Sequence, residues 1–532
     1  MIELLKKIYI FIYNSINFFK KRSQKVFYEY EKYNKYFNIN GIKYFNFNYF
    51  IFSEKKLLKT QTFTKNLKKK YKDVIIIINK KTSDFFSYKL NNKIFKRFTL
   101  NNSVNFLKIN LKNKNNFRFE VDKEDLVFNP IFSKDKKNKK LVLIFIVDGL
   151  GNDFTNLMKN TNNYFGRKNR FVNAWSNGEW TLPSVGNLLS GKYTSNHLCY
   201  NQLSYYKSIF NLSNKIEAQT NLKVKNTIFE SFKNLNFITG FYSPYLRINP
   251  TYGHDRGVDI FKHCIENSVD EILENVRSQL EFFNNHSNFI IAHIFDTHGP
   301  TKKYLRLSEQ SLSGDKNYNF KSSGDLQNLF PKNMRVRDKY QSVMLENLFR
   351  YVDNRLEDFF KYLNKKKFDD YSIILLGDHG TRRIEKNKTN KVLSKMQNNI
   401  GFYIKDKKFK FASKRKKTLQ VVDIFPSLLS RYSKKNTLRN NGFDGKNILY
   451  SSEKTKFPVS ESIWGGKYNF FLKTNNYSAL FTYSLDNLQK IKEVNYFDYK
   501  EKKIDKENIP KKDLSEIKQI FNNFKKSKKI FK

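Results

Sequence analysis

The sequence predicts an α/β protein. A mostly parallel central sheet is sandwiched by helices, with a small antiparallel subdomain at the C-terminus and an N-terminal accessory domain with β content. Three observations carry this. Leu141–Val147, Phe289–Asp296 and Tyr371–Asp378 are nearly continuous apolar runs, the pattern of parallel strands covered on both faces. Between them, Leu345, Leu348, Val352, Leu356, Phe359 and Leu363 recur at helical spacing. All three runs close on an aspartate, Asp148, Asp296 or Asp378, and ligands collect at the carboxyl ends of such strands.

Residues 1–139 precede the first run. Asp73–Asn79 (DVIIIIN) reads as a strand, and Asn105–Val121 alternates apolar and polar residues like half-buried antiparallel strands. Ser133–Lys140 is a charged linker, so a boundary falls near 140. The strand–helix alternation of residues 140–450 marks an α/β domain. Residues 451–532 change texture: Tyr468–Ser484 reads as a hairpin turning at Asn475–Asn476, and Asp513–Lys532 as a basic helix or tail.

The chain has 532 residues and a net charge of +50, from 99 Lys and Arg against 49 Asp and Glu. The excess is Lys-rich, spread along the chain and accompanied by Asn, Ile, Phe and Tyr, which reads as a compositional bias rather than a nucleic-acid footprint. No nucleic-acid-binding module is visible, and Cys199 and Cys264 exclude a disulfide scaffold. Two cysteines suit a reducing, cytoplasmic setting. The N-terminal apolar run, Ile8–Tyr13, is too short for a signal peptide or a span. Ile2, Leu5, Tyr9, Ile12, Ile16 and Phe19 lie at helical spacing, so residues 2–22 form an amphipathic helix that packs on the protein or lies at a membrane surface.

Candidate chemistry sits at the ends of these elements. Asp148 opens VDGLG, where Gly149 and Gly151 permit a sharp turn. Thr181 precedes LPSVGNLLSG; Thr181 or Ser184 caps that helix, or the helix start presents Thr181 to an anion. GDHG supplies Asp378 and His379, a pair suited to a divalent cation, and DTHGP adds His298.

In their order and spacing these motifs resemble the alkaline phosphatase superfamily, in its sulfatase-like branch. TLPSVGNLLSG is similar to the sulfatase signature, and LSGKYTSNH continues it, with His197 where a histidine is usual. DTHGP, the long helix with its Val352–Asp353 pair, GDHG, Leu419–Ser430, FDGKNIL and Tyr496–Ile509 resemble the family's later elements. The resemblance implies one divalent cation held by Asp148, Thr181, Asp378 and His379, with Mn²⁺ or Mg²⁺ preferred over Zn²⁺ or Ca²⁺. It implies Thr181 as covalent nucleophile and His298 as the group that binds the ester or protonates the leaving oxygen; a packed, structural His298 is the alternative. The implied partner is an anionic ester of a glycan, lipid or small alcohol, not a nucleic acid.

The chain departs from that pattern in three places. Thr181 stands where sulfatases carry the Cys or Ser they convert to formylglycine, and Thr cannot give that aldehyde. Phosphoester chemistry is therefore expected, as in the family's phosphoryl-transferring members; a sulfatase acting without formylglycine and a non-catalytic binding protein are the rival readings. Val185 replaces the signature arginine, and Gly149 replaces the second aspartate of the sulfatase pair. A second ion is not expected: His298 follows Asp296 by two residues rather than four, and no histidine follows His379.

Overall fold

The computed structural model describes nine short strands between residues 50 and 133 and most of residues 139–531, apart from 201–221, 264–267, 299–338, 382–392, 434–441 and a few shorter gaps. The amphipathic segment 2–22 and Cys264 lie outside the described residues. No described helix is long and apolar enough to cross a membrane.

Eight strands form the central sheet: β1 (Phe50–Phe52), β2 (Lys140–Val147), β3 (Arg170–Phe171), β4 (Phe237–Ser243), β5 (Ile260–His263), β6 (Ser287–Ile294), β7 (Asp370–Gly377) and β8 (Phe402–Asp406). Their spatial order is β1-β5-β4-β6-β2-β7-β8-β3. The five strands from β5 to β7 run parallel, β8 is antiparallel to β7, and β1 closes the other edge antiparallel to β5. All three predicted core strands are therefore adjacent, with β2 between β6 and β7.

The apolar run of β2 has a direct cause. Val142, Ile144 and Ile146 point into one core, while Leu141, Leu143, Phe145 and Val147 point into another. A strand with helices on both faces has no solvent side to be polar on. The first core is roofed by α2 (Thr181–Ser190), α3 (Ile228–Asn234) and α6 (Ile424–Tyr432). The second is covered by α4 (Val269–Phe282) and α5 (Lys339–Lys365), with α1 (Lys159–Phe165) beside them. The predicted helical stripe is the buried face of α5: Val352, Leu356, Phe359 and Leu363 meet the sheet, and Phe359 meets Phe145 edge-on at 5.8 Å.

The predicted hairpin is present as Lys467–Lys473 and Tyr477–Ser484, turning through residues 474–476. It is the centre of a five-stranded antiparallel sheet spanning Val459 to Ile504. The basic C-terminal stretch is α7 (Lys511–Lys526), which lays Phe521 flat on Phe481 at 4.0 Å and beside Phe470 at 5.2 Å. The strands between residues 62 and 133 form two antiparallel sheets, and Ile75 of DVIIIIN reaches the core shared by Leu143 and Phe145.

Candidate active site

Asp148 is the first residue beyond β2. Its amide donates to the Ile294 carbonyl of β6 (3.0 Å), so the chain stays on the sheet for one more residue before it turns. Gly149 makes that turn at φ +65°, and its amide donates to Asp378 Oδ1 (3.0 Å). A Cβ here would lie 2.6 Å from Thr381 Oγ1, which itself donates to the Gly149 carbonyl. The position that lacks a second carboxylate is thus a left-handed turn with no room for one. Asp378 and His379 follow β7, and the His379 amide also donates to Asp378 Oδ1 (2.9 Å). Two backbone N–H groups on one oxygen hold that carboxylate edge-on and leave Oδ2 pointing elsewhere.

Thr181 is the first residue of α2, not its cap. The cap position is Trp180, and no side chain caps the helix. Instead Thr181 Oγ1 donates to Asp148 Oδ2 (3.1 Å) and lies 3.5 Å from His379 Nε2. Ser184 Oγ is engaged with Ser176 Oγ at 3.0 Å. Asp148, Thr181, Asp378 and His379 therefore converge, from two strand ends and one helix start.

A fifth group joins them that sequence reading missed. His293, fully buried near the end of β6, places Nε2 3.6 Å from Asp148 Oδ2, and Ser243 Oγ fixes its ring through Nδ1 at 3.0 Å. Donor atoms of Asp148, His293 and Asp378 lie within 4.8 Å of one another. Asp378 Oδ2 and His293 Nε2 are buried without a hydrogen-bond partner among the described residues. Buried polar atoms are rarely left so, and a divalent cation among these donors would satisfy both. The signal was a histidine inside a run, FIIAHIFD, that otherwise asks for an apolar residue at every position.

His298 sits apart from this cluster. It is exposed and stacks on Phe295 at 4.3 Å, with Tyr245 at 6.2 Å. It is still near enough for a positive charge on it to favour the ionised Asp148 carboxylate. Thr297, next to it, donates to the Asp148 carbonyl (2.6 Å). His197 is a packing residue. It accepts from the Cys199 amide through Nδ1 (3.0 Å), lies against Gly186 of α2, and burial pushes its pKa down to about 3.

The two aspartates titrate in opposite directions. Burial works against ionisation of Asp148, but contact with His293 and the charges of His379 and His298 outweigh it and hold the carboxyl below its usual range. Asp378 is pushed up, chiefly by burial and also by the Asp148 charge. Burial opposes protonation of His379, yet Asp378 and Asp148 together raise its pKa. The hydroxyl of Thr181 thus faces a carboxylate disposed to be charged.

The turn before α2 is clamped by the C-terminal sheet. Ser460 Oγ donates to the Ser176 carbonyl (2.6 Å), and the Glu461 amide to the Asn177 carbonyl (2.9 Å). Ser462 donates to the Glu179 carboxylate, and Ser176 in turn donates to the Asp378 carbonyl. The buried Glu461 carboxylate accepts from the Ser195 amide (3.0 Å) and Tyr468 (2.7 Å).

A mostly parallel sheet thus gathers carboxylates, imidazoles and a hydroxyl at its central strand ends. The Sulfatase family model matches residues 141–432, more than half of the chain, and the chain belongs to the sulfatase family. Solved structures with this fold include the yidJ protein of Bacteroides fragilis (13% identity, 74% of this chain and 96% of that one, TM-score 0.54). A glycosaminoglycan-metabolism protein of Bacteroides thetaiotaomicron matches at 14% identity over 73% and 95% of the two chains (TM-score 0.51). A 2-O glycosaminoglycan sulfatase matches at 14% over 73% and 92% (TM-score 0.50). At these identities the likeness is one of fold. No curated protein matches the sequence.

Proposed function

We propose that the chain cleaves a phosphate monoester or diester through a covalent phospho-threonine on Thr181. The observation that carries this is the placement of Thr181 Oγ1, bonded to Asp148 at 3.1 Å and facing His379 at 3.5 Å instead of capping its helix. Asp148, Thr181, Asp378 and His379, with His293 beside them, would hold one divalent cation. Bound there, it would supply the positive charge that acidifies the threonine hydroxyl and neutralises the ester oxygens. Two imidazoles in the set shift the preferred metal from Mg²⁺ towards Mn²⁺ or Zn²⁺.

The chain's own groups do the rest. Asp148 accepts the hydrogen of Thr181 Oγ1, which orients the oxygen lone pair towards the bound phosphorus. The backbone N–H groups at the start of α2 stabilise the charge that develops on the phosphoryl oxygens. As the bond from Thr181 Oγ to phosphorus forms, its hydroxyl proton passes to Asp148, the bond to the leaving alcohol breaks, and His298 delivers a proton to that oxygen. Water or an acceptor alcohol then displaces Thr181 from phosphorus, giving hydrolysis or transfer to a glycan, lipid or small alcohol. A cytoplasmic setting, with membrane contact through residues 2–22, belongs to the same reading and is tested by fractionation.

The experiment is a matched assay of the metal-loaded protein on phosphate monoester, phosphate diester and sulfate ester of one alcohol, followed by mass spectrometry of acid-quenched enzyme. Phosphate on Thr181 is expected. Turnover of the sulfate ester alone, with no phosphate on the protein, overturns the reading.

A further inference from the structure

Beside the edge strand β3 lies a cavity of about 800 Å³ that shares no residue with the Asp148 cluster. Its cationic lining is Lys159 from α1, Arg167 and Arg170 around the start of β3, and Arg415 from the loop after β8. Asn156, Asn162 and Asn163 complete the lining, the Asn162 amide already donating to the Thr155 and Met158 carbonyls (2.7 and 2.8 Å), and no carboxylate lines it among the described residues. Four positive charges facing one space repel one another, and none of the four forms an ion pair among the described residues. Nε of Arg170 and Nε of Arg415 are both buried with no hydrogen-bond partner among the described residues.

Composition does not account for this group. The chain's cations are overwhelmingly lysine, yet three of these four are arginine. Arginine is the residue whose planar donors match phosphate and sulfate oxygens two at a time. The cavity is also built rather than frayed. The Val172 amide donates to the Arg415 carbonyl (3.1 Å), which ties the loop to the strand. Arg170 Nη2 is held on Asn152 Oδ1 (3.1 Å), and Phe171 beneath it packs on Phe402 and Phe411. The volume is in the range of small-molecule sites.

We infer that this cavity binds a small polyanion carrying at least two phosphate or sulfate groups, at a site separate from the one where an ester is cleaved. Two groups are inferred because four cations from a helix, a strand start and a distant loop line a space of about 800 Å³, several times what one tetrahedral anion fills. The side-chain amides of Asn156 and Asn163 would take the bridging or hydroxyl oxygens between the charged groups. The inference does not rest on the ester chemistry assigned to Thr181.

Calorimetric titration of the full chain tests it, with chelator present so that a metal-bound anion at Thr181 contributes nothing. Tripolyphosphate and a disulfated disaccharide are the two probes, and orthophosphate is the single-group control. One of the two probes is expected to bind at one equivalent, at least tenfold tighter than orthophosphate, and which one does so identifies the source. The pair Arg170→Gln and Arg415→Gln should weaken it at least tenfold, while Thr181→Ala leaves it unchanged. Arg415→Lys keeps the charge and the fold but loses the fork, and should bind with intermediate affinity. A thermal melt checks that each variant is folded. Binding that survives the double substitution, that falls equally when Lys500, Lys502 and Lys503 are neutralised, or that is absent for both probes overturns the inference.

Discussion

At the residue scale the site turns on one hydroxyl and two histidines in different positions. Thr181→Ala is expected to abolish turnover without unfolding the chain, since Thr181 contributes no helix cap. A thermal melt beside an activity assay checks both halves. His293→Ala should lower metal affinity about 10–100-fold, the usual cost of losing a ligand or its support, read by competition with a chelating dye. A purely packing His293 would lower the melting temperature and leave the affinity unchanged. His298→Asn should slow alkyl esters about 10²-fold and barely touch a nitrophenyl ester, whose leaving anion needs no proton. Equal loss on both would make His298 a binding group. Four of the five cluster residues were legible in the sequence because each stands at a strand end or a helix start, where motifs are written. His293 was not, because a buried residue in mid-strand reads as core until its partners are seen.

At the element scale, apolar continuity located β2, β6 and β7, and helical spacing located α5. The edge strands β1 and β3 are only two or three residues long, and so short a run has no periodicity to read. The hairpin and α7 were legible, but not their use as a clamp on residues 176–179, since a contact between residues nearly 300 apart leaves no local pattern. Phe521→Ala should cost about 3–5 kcal/mol, measured by denaturant unfolding, because its ring is buried flat on Phe481. Buried titrating groups set the pH dependence of stability. His197 and His254 are held near pKa 3 by burial, against an ordinary 6.5, so the unfolded chain binds two more protons between those values. Their contribution is present above pH 6.5 and is lost as pH falls towards 3. Asp423 runs the other way: burial lifts it to about 7, so its contribution is complete below pH 3.8 and lost as pH rises through 7. Between pH 4 and 6.5 the two histidines make stability rise with pH, and Asp423 opposes them. Asp423→Asn should steepen that rise, and an unchanged slope would remove Asp423 from the balance.

At the scale of the whole molecule, the central sheet carries the clustered side chains, and the C-terminal sheet holds the turn that leads to Thr181. The boundary near residue 140 proposed from the charged linker is testable by a chain beginning at Lys139. It should melt earlier, having lost the β1 edge and the Ile75 contact, yet turn over a small model ester. If it is folded and inactive, residues 1–138 complete the site. Metal analysis of active protein should return about one ion per chain, on the single converging donor set found among the described residues.

The clamp made by Ser460, Glu461 and Ser462 also places the site in time. During synthesis β2, α2 and β7 leave the ribosome well before the strand that fixes the turn leading to Thr181. Lys528, which bonds Asp444 at 2.7 Å beside the segment following α2, emerges later still. A nascent chain would therefore carry the clustered side chains before it carried the strand that steadies residues 176–179. A chain cut after residue 450 lacks the clamp of Ser460, Glu461 and Ser462 and is expected to be inactive on the proposed ester even where its central sheet has formed.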